Sequence, residues 1–167
     1  MIKPVGTIPN DVKKTEAFFG NESPLQASEK FGAPKYEERV QQRKMAVKIA
    51  EAFENNRNLC VEAPTGIGKS YAYLVPSVFI SKRKNQPVII STETINLQEQ
   101  LIGKDIPLLQ ALIEGGFKAA LAKGRSHYVC LRRLHFAEEK AREELFDEYV
   151  QGGIKKIIRW VSENGFG

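Results

Sequence analysis

The chain has 167 residues, of which 42% are hydrophobic and 27% are charged, and its net charge is +5. This is the balance of an ordinary soluble globular protein, and the length suffices for one sizeable core without disulfide or metal support. Two cysteines exclude a disulfide framework, no apolar stretch is long enough to span a membrane, and the N-terminus lacks the apolar run of a secretory signal. We therefore expect an intracellular, cytoplasmic protein.

The first 35 residues contain prolines and glycines that interrupt every periodic pattern, which predicts a loosely organised arm. Within this arm Phe18, Phe19 and Leu25 are the apolar side chains expected to dock on a neighbouring surface. From Glu38 onward apolar residues recur every four positions, which predicts an amphipathic helix. The asparagines that begin at Asn55 are expected to end this helix.

Three short apolar runs follow and alternate with sequence of helical periodicity. Each run, at 59–61, 88–90 and, more weakly, 119–122, predicts a buried strand, and Cys60 is expected to be a core thiol. Helices are predicted at 69–82 (kinked or shortened at Pro76), 96–103, 108–113 and 130–150, the last ending at Gly152 and Gly153. The alternation of strands and helices predicts an α/β fold with a parallel sheet.

The first predicted strand is followed by a glycine-containing loop that opens a helix. Its sequence is Ala63-Pro64-Thr65-Gly66-Ile67-Gly68-Lys69-Ser70. Gly66 and Gly68 allow the backbone to curl so that its N–H groups point at phosphate oxygens, and the helix N-terminus adds unpaired donors. In such a loop the lysine binds the β- and γ-phosphates and the serine binds Mg²⁺. The strict pattern has glycine in place of Ala63, but the strand–loop–helix context favours nucleotide binding over a structural turn.

Charge is concentrated in two blocks near the end of the chain. Residues 118–133 carry five bases and no acid, and this basic block also contains His127 and Tyr128. Such a surface binds phosphates and stacks on bases, although a solvated face would explain the same charges. Residues 138–149 carry six acids against two bases, as expected for the outer face of a helix.

Within the acidic block, residues 145–148 (Leu-Phe-Asp-Glu) resemble the acidic motif that holds magnesium and orients the attacking water in nucleotide hydrolysis. Only two apolar residues precede the acid, whereas a buried parallel strand needs about four or more. We therefore do not assign this function to residues 145–148.

Four stretches together resemble the first part of the XPD/DinG family of iron–sulfur DNA helicases, in superfamily 2. Residues 36–45, with Arg39 and Gln42, are similar to the family's Q-motif, and the glycine-containing loop is similar to motif I. Residues 90–101 are similar to motif Ia, and residues 123–134 are similar to the entry to the iron–sulfur domain. The likeness covers roughly residues 36–130.

The resemblance implies a role for each matched position. Gln42 and Arg39 would contact the base of ATP, Lys69 would be catalytic, and Ser70 would hold Mg²⁺. Cys130 would be one of four thiolate ligands to a 4Fe–4S cluster, with the other three absent from this chain. Single-stranded DNA would be bound by Thr92, Thr94, Gln98, Lys123, Arg125 and Tyr128.

Without the resemblance some of these positions have simpler interpretations. The polar residues around Thr94 are typical of a plain helix cap, and one cysteine beside a basic block is most often an idle thiol. His127, Cys130 and His135 are too loosely spaced to favour zinc.

The resemblance also implies a fold and a domain order. The expected fold is an incomplete RecA-like P-loop NTPase sheet, followed by the start of a helical iron–sulfur domain. Residues 1–35 would form the arm, 36–124 the first part of helicase lobe 1, and 125–167 the start of the cluster domain.

The implied activity is that of an ATP-dependent DNA helicase with 5′-to-3′ polarity. This chain is expected to bind ATP but to hydrolyse it poorly, with the remainder of the helicase missing or supplied by another chain. One alternative is a non-catalytic ATP- or DNA-binding module that acts through a partner chain. A small P-loop kinase is a third possibility, but no acceptor-site or lid motif supports it.

Overall fold

The structure, a computed structural model, describes residues 10–32, 35–143 and 148–164. The acidic mimic at 145–148 falls outside these residues except for Glu148. The chain divides into two compact units, the first ending at Leu121 and the second beginning at Ala122. No helix in the described part of the chain is long and apolar enough to cross a membrane.

All of the regular secondary structure in the described residues is helical, with irregular segments between the helices. The first unit contains α1 (Asn10–Phe18), a 3₁₀ helix (Pro24–Phe31), α2 (Val40–Glu54), α3 (Lys69–Lys84), α4 (Ile95–Gln100), a π-helical turn (Leu101–Asp105) and α5 (Ile106–Leu112). The second unit contains a short 3₁₀ helix (Arg125–His127), α6 (Leu131–Glu143) and α7 (Glu148–Asn164).

Helix α3 lies at the centre of the first unit and packs against both α1 and α2. Its side chains are buried nearly all round, including Ala72 and Val75 with no exposed surface, as expected for a core helix. The helix continues through Pro76 to Lys84, so the prediction that it would be shortened there is wrong. Proline cannot donate to the carbonyl four residues earlier, and burial on all sides holds the helix together in spite of that lost bond.

The N-terminal arm is docked on this core through the side chains that the sequence indicated. Phe19 has no exposed surface, and Phe18 and Leu25 are 5% and 2% exposed. The Phe18 ring meets the rings of Phe19 and Phe79 edge-on, with centroids 5.5 and 6.2 Å away. The expected docking of the arm is confirmed, and its described part is helical.

An ion-pair network also ties α1 to α2 and α3. The Arg83 guanidinium on α3 donates to the carboxylates of Asp11 on α1 and Glu54 on α2, over 2.5 and 2.6 Å. These two acids raise the pKa of Arg83, so its charge is retained at any ordinary pH. The Asp11 side chain is only 6% exposed, and Arg83 supplies the opposite charge that a buried carboxylate requires.

The predicted parallel sheet is wrong, because the described residues contain no strand. The runs at 59–61, 88–90 and 119–122 have no regular secondary structure, and apart from the half-buried Val88 their apolar side chains are exposed: Leu59 by 44%, Ile89 by 90% and Leu121 by 38%. Cys60, expected in the core, is exposed as well. An apolar run favours a strand locally, but a sheet forms only when each strand finds hydrogen-bonding neighbours, and here these runs have none.

The segment from α4 to α5 is one continuous helix with a π turn in its middle. The N–H of Ile106 donates to the carbonyl of Leu101, five residues earlier, instead of four. Pro107 explains the wider turn, because it has no N–H to donate to the carbonyl of Gly103 and its ring crowds the preceding turn. Leu101 and Asp105 are both buried here.

In the second unit, α6 and α7 contact each other. The predicted end of a helix at Gly152 and Gly153 is wrong, because α7 runs through both glycines to Asn164. Phe136 on α6 is 59% exposed, with the Lys140 ammonium 5.3 Å from its ring centroid.

Candidate nucleotide-binding site

The loop at residues 63–70 curls through two left-handed glycines. Gly66 has φ of 85° and Gly68 has φ of 81°, a region that side-chain-bearing residues rarely adopt. Gly68 is also the N-cap of α3, so the loop passes directly into the first turn of that helix. The sequence-predicted loop and helix are thus adjacent, although the strand expected before them is absent from the described residues.

Lys69 folds back over this loop. Its Nζ donates to the carbonyl oxygens of Ala63, over 3.1 Å, and Pro64, over 2.8 Å. In the part of the chain that the structure describes, no carboxylate pairs with Lys69. Its positive charge is therefore balanced only by neutral carbonyls, and a phosphate oxygen would be a stronger acceptor.

The start of α2 meets the same loop. Arg39 Nη1 donates to the carbonyl oxygen of Gly66 over 2.6 Å, and Gln42 Nε2 donates to that of Gly68 over 2.8 Å. Arg39 and Gln42 are the two residues assigned to the Q-motif, and they precede the glycines by 27 and 26 positions. The fold thus brings the two sequence-predicted parts of one site together.

Gln42 retains an unused hydrogen-bond acceptor at this position. The residue is 3% exposed, and its Oε1 atom is buried with no hydrogen-bond partner among the described residues. A buried acceptor without a donor costs about 1–3 kcal/mol. A ligand with an amino group at this point would remove that cost, and adenine carries such a group.

The residues assigned to DNA contact in motif Ia lie around the start of α4. The Thr94 hydroxyl accepts from the backbone N–H of Leu97 over 3.3 Å and so caps this helix. Thr92 and Gln98 are half-buried. Capping already explains Thr94, which is the simpler of the two interpretations of the sequence.

The other predicted DNA contacts belong to the second unit. Lys123, Arg125 and Tyr128 are all exposed, the tyrosine by 56%. The backbone N–H of Lys123 donates to the Tyr128 hydroxyl over 2.8 Å, and this bond closes a short loop that leaves the ring face accessible.

Cys130, the predicted cluster ligand, is a free and exposed thiol. The described residues contain no group of three or more His, Cys, Asp or Glu side chains that could hold a metal ion. The residues present therefore do not fit an iron–sulfur cluster, nor do they support the zinc alternative.

Sequence reasoning missed three polar residues near the loop. The Tyr71 hydroxyl donates to Asp105 Oδ1 over 3.2 Å, and burial together with the Asp105 charge raises the pKa of Tyr71 to about 12. Burial also raises the pKa of Tyr73, whose hydroxyl lies beside the Ser70 side chain. The one available signal was an acid, Asp105, two positions before a proline within a helical stretch.

Comparison with known proteins gives a consistent set of relatives. The family model described as DEAD/DEAH box helicase matches residues 40–127. The chain is 39% identical over 135 residues to the 3'-5' exonuclease DinG of Bacillus subtilis, covering 80% of this chain and 14% of that protein. It is 42% identical over 136 residues to the ATP-dependent helicase DinG of Mycobacterium tuberculosis, covering 72% and 20%. It is 45% identical over 101 residues to the ATP-dependent DNA helicase YoaA of Escherichia coli, covering 60% and 15%. The chain thus spans a fifth or less of the length of these relatives.

Proposed function

Since the chain belongs to the DEAD/DEAH box helicase family and is of the DinG type, we propose that it is the ATP-binding part of an ATP-dependent DNA helicase. The observation that carries the proposal is the meeting of α2 with the loop at 63–70, where Arg39 and Gln42 bond the carbonyls of Gly66 and Gly68. Base-contacting and phosphate-contacting groups thereby converge on one site.

The chemistry of each group suits Mg-ATP. The N-terminus of the 16-residue helix α3 supplies unpaired N–H donors and partial positive charge toward phosphates. Lys69 would exchange its two carbonyl acceptors for β- and γ-phosphate oxygens, and the Ser70 hydroxyl would coordinate Mg²⁺. Gln42 would accept from the amino group of adenine through Oε1, its unpartnered atom.

Hydrolysis by this chain is proposed to be slow. Phosphoryl transfer in P-loop enzymes also uses an acid that holds the metal and an arginine finger, and the finger alone contributes about a thousandfold or more. No residue assigned here fills either function. Unwinding, and its 5′-to-3′ polarity, would therefore require the remainder of a DinG-type protein, in the same chain or another.

An iron–sulfur cluster is not part of the proposal for this chain, because the described residues place Cys130 in no group of side chains that could hold a metal. The alternative of a non-catalytic module acting through a partner chain differs only in whether that partner completes an ATPase. ATP turnover after mixing with the remainder of a DinG-type helicase distinguishes the two.

Gly68→Ala is expected to weaken ATP binding by ten-fold or more. A Cβ at this position would lie 2.1 Å from Gln42 Nε2, and φ of 81° would be strained for alanine. Gln42 would be displaced from the loop as a result. Titration of a fluorescent ATP analogue in the presence of Mg²⁺ measures the loss.

Gly152→Ala is the matched control for Gly68→Ala, because nothing lies within 4 Å of a Cβ added there and its φ is not positive. It is expected to bind the analogue as the wild type does. Unchanged affinity in Gly68→Ala would contradict the site as assigned.

We propose that single-stranded DNA is bound in part by the exposed cations of the second unit. The double variant Lys123→Ala/Arg125→Ala is expected to reduce the affinity for a labelled oligonucleotide and to lower the slope of log affinity against log salt by about 1–2. The reason is that each lost phosphate contact accounts for a slope of about 0.7 on single strands. Fluorescence anisotropy at several salt concentrations provides both values.

Lys155→Ala/Lys156→Ala removes the same charge from α7 of the same unit and serves as the control. If both double variants weaken binding equally, only net charge matters, and the assignment of Lys123 and Arg125 is wrong.

A further inference from the structure

Asp105 is a buried carboxylate that the proposed function does not use. It is 3% exposed, and each of its oxygens accepts one bond from a neutral side chain. Tyr71 Oη donates to Oδ1 over 3.2 Å, and Gln100 Nε2 donates to Oδ2 over 3.0 Å. In the described ranges no lysine, arginine or histidine pairs with it. A buried carboxylate without a cation is costly, so its two hydrogen bonds have to be kept for it to remain inside.

These two bonds join the phosphate loop to α4, the helix at which the family resemblance implies single-stranded DNA contacts. Tyr71 follows Ser70 directly and lies in the first turn of α3, next to the phosphate loop. Gln100 is the last residue of α4, the helix that Thr94 caps. Asp105 thus connects the end of the loop with the helix next to the predicted DNA contacts Thr92, Thr94 and Gln98.

Asp105 is also the last residue of the π turn at Leu101–Asp105. A π turn is an irregular, locally weak point in a helix and is common where function requires it. Since α4 precedes this turn and α5 follows it, α4 is joined to α5 through an adjustable segment. The Asp105 side chain bonds both Tyr71 on α3 and Gln100 on α4 across this turn. A movement of either helix end therefore acts on the other through Asp105.

We propose that Asp105, held by Tyr71 and Gln100, is a positioning residue that couples nucleotide binding at the loop to single-stranded DNA binding at α4. This inference rests on the proposed function. When nucleotide binds, Ser70 and the first turn of α3 move, and the Tyr71 hydroxyl moves with them. Asp105 follows this hydroxyl, and its bond to Gln100 carries the movement to α4. Because binding free energies are linked, each ligand changes the affinity for the other by the same factor.

The test measures the affinity for a labelled single-stranded oligonucleotide with and without a saturating non-hydrolysable ATP analogue and Mg²⁺. In the wild type the two affinities are expected to differ by about five-fold or more, the lower end of typical coupling. Tyr71→Phe removes only the hydroxyl donor and is expected to bring this ratio close to one, with each ligand's separate affinity within about two-fold of wild type. Asp105→Asn is expected to reduce the ratio likewise.

Ser77→Ala is the control, since it removes another hydroxyl donor of α3, which donates to the Tyr73 carbonyl over 2.7 Å and has no part in this connection. It is expected to retain the wild-type ratio. A wild-type ratio of one, or a full ratio in both Tyr71→Phe and Asp105→Asn, overturns the inference. Should Asp105→Asn not fold, Tyr71→Phe decides alone. Failure of the wild type to bind either ligand separately is a different result and contradicts the proposed function itself.

Discussion

Lys69→Ala is expected to lower the affinity for a fluorescent ATP analogue by about ten- to hundred-fold. A hydrogen bond to a charged group is worth about 1.5–3 kcal/mol, and 1.4 kcal/mol is a factor of ten in affinity. The substitution also removes the two bonds to the Ala63 and Pro64 carbonyls that hold the loop closed. Equilibrium titration at fixed Mg²⁺ measures the change.

Lys82→Ala is a closely matched control. Lys82 Nζ also donates to two backbone carbonyls, those of Glu114 at 2.7 Å and Gly116 at 2.9 Å, at the opposite end of α3 from the loop. The Lys82→Ala variant loses the same charge and the same kind of bonds as Lys69→Ala. Its affinity for the analogue is nevertheless expected to stay within about two-fold of wild type. Equal affinities in Lys69→Ala and the wild type would remove the basis for a phosphate-binding loop.

Phe19→Ala is expected to reduce the free energy of unfolding by about 3–5 kcal/mol, the range for truncating a buried phenylalanine. The side chain has no exposed surface and lies in the hydrophobic core with Leu25, Ala72 and Leu109. Its loss leaves a cavity between the arm and that core. Urea unfolding followed by circular dichroism gives the value.

Phe31→Ala tests the same kind of residue in the same arm at a site that is 52% exposed. Its effect is expected to stay within about 0.5 kcal/mol, as for most surface substitutions. Equally small losses from both variants would mean that the arm is not an integral part of the first unit. Comparing the two variants thus distinguishes an arm whose phenylalanine is packed into the core from an arm that only carries apolar residues.

Local features of the sequence predicted the two central helices, α2 and α3, well. The period-four pattern after Glu38 and the following asparagines predicted α2, and the helix predicted from Lys69 is confirmed as α3. These predictions succeed because helical hydrogen bonds are made between residues four apart, so the information is local. The resemblance to a DinG-type helicase is likewise confirmed by the relatives, since it depended on motif residues and their order.

Predictions that needed distant partners were less successful. The runs at 59–61 and 88–90 have the composition of strands, but composition does not specify a pairing partner, and the structure leaves them unpaired. The bond between Gln42 and Gly68 spans 26 positions, and the resemblance implied only that both residues contact the nucleotide. The Tyr71–Asp105 bond spans 34 positions and depends on a π turn that Pro107 induces, and no local pattern indicated it.

The exposed run at 88–90 has a consequence for how the protein behaves at high concentration. Val88, Ile89 and Ile90 are β-branched and are followed by Ser91 and Thr92, which makes five consecutive residues with no charge and no proline. Segments of this kind pair with copies of themselves when their backbone groups are unoccupied. We therefore expect self-association through this segment to increase as concentration rises, and a charged residue on either side of Ile89 to oppose it. Because apolar association weakens on cooling, dilute and cold solutions favour the monomer.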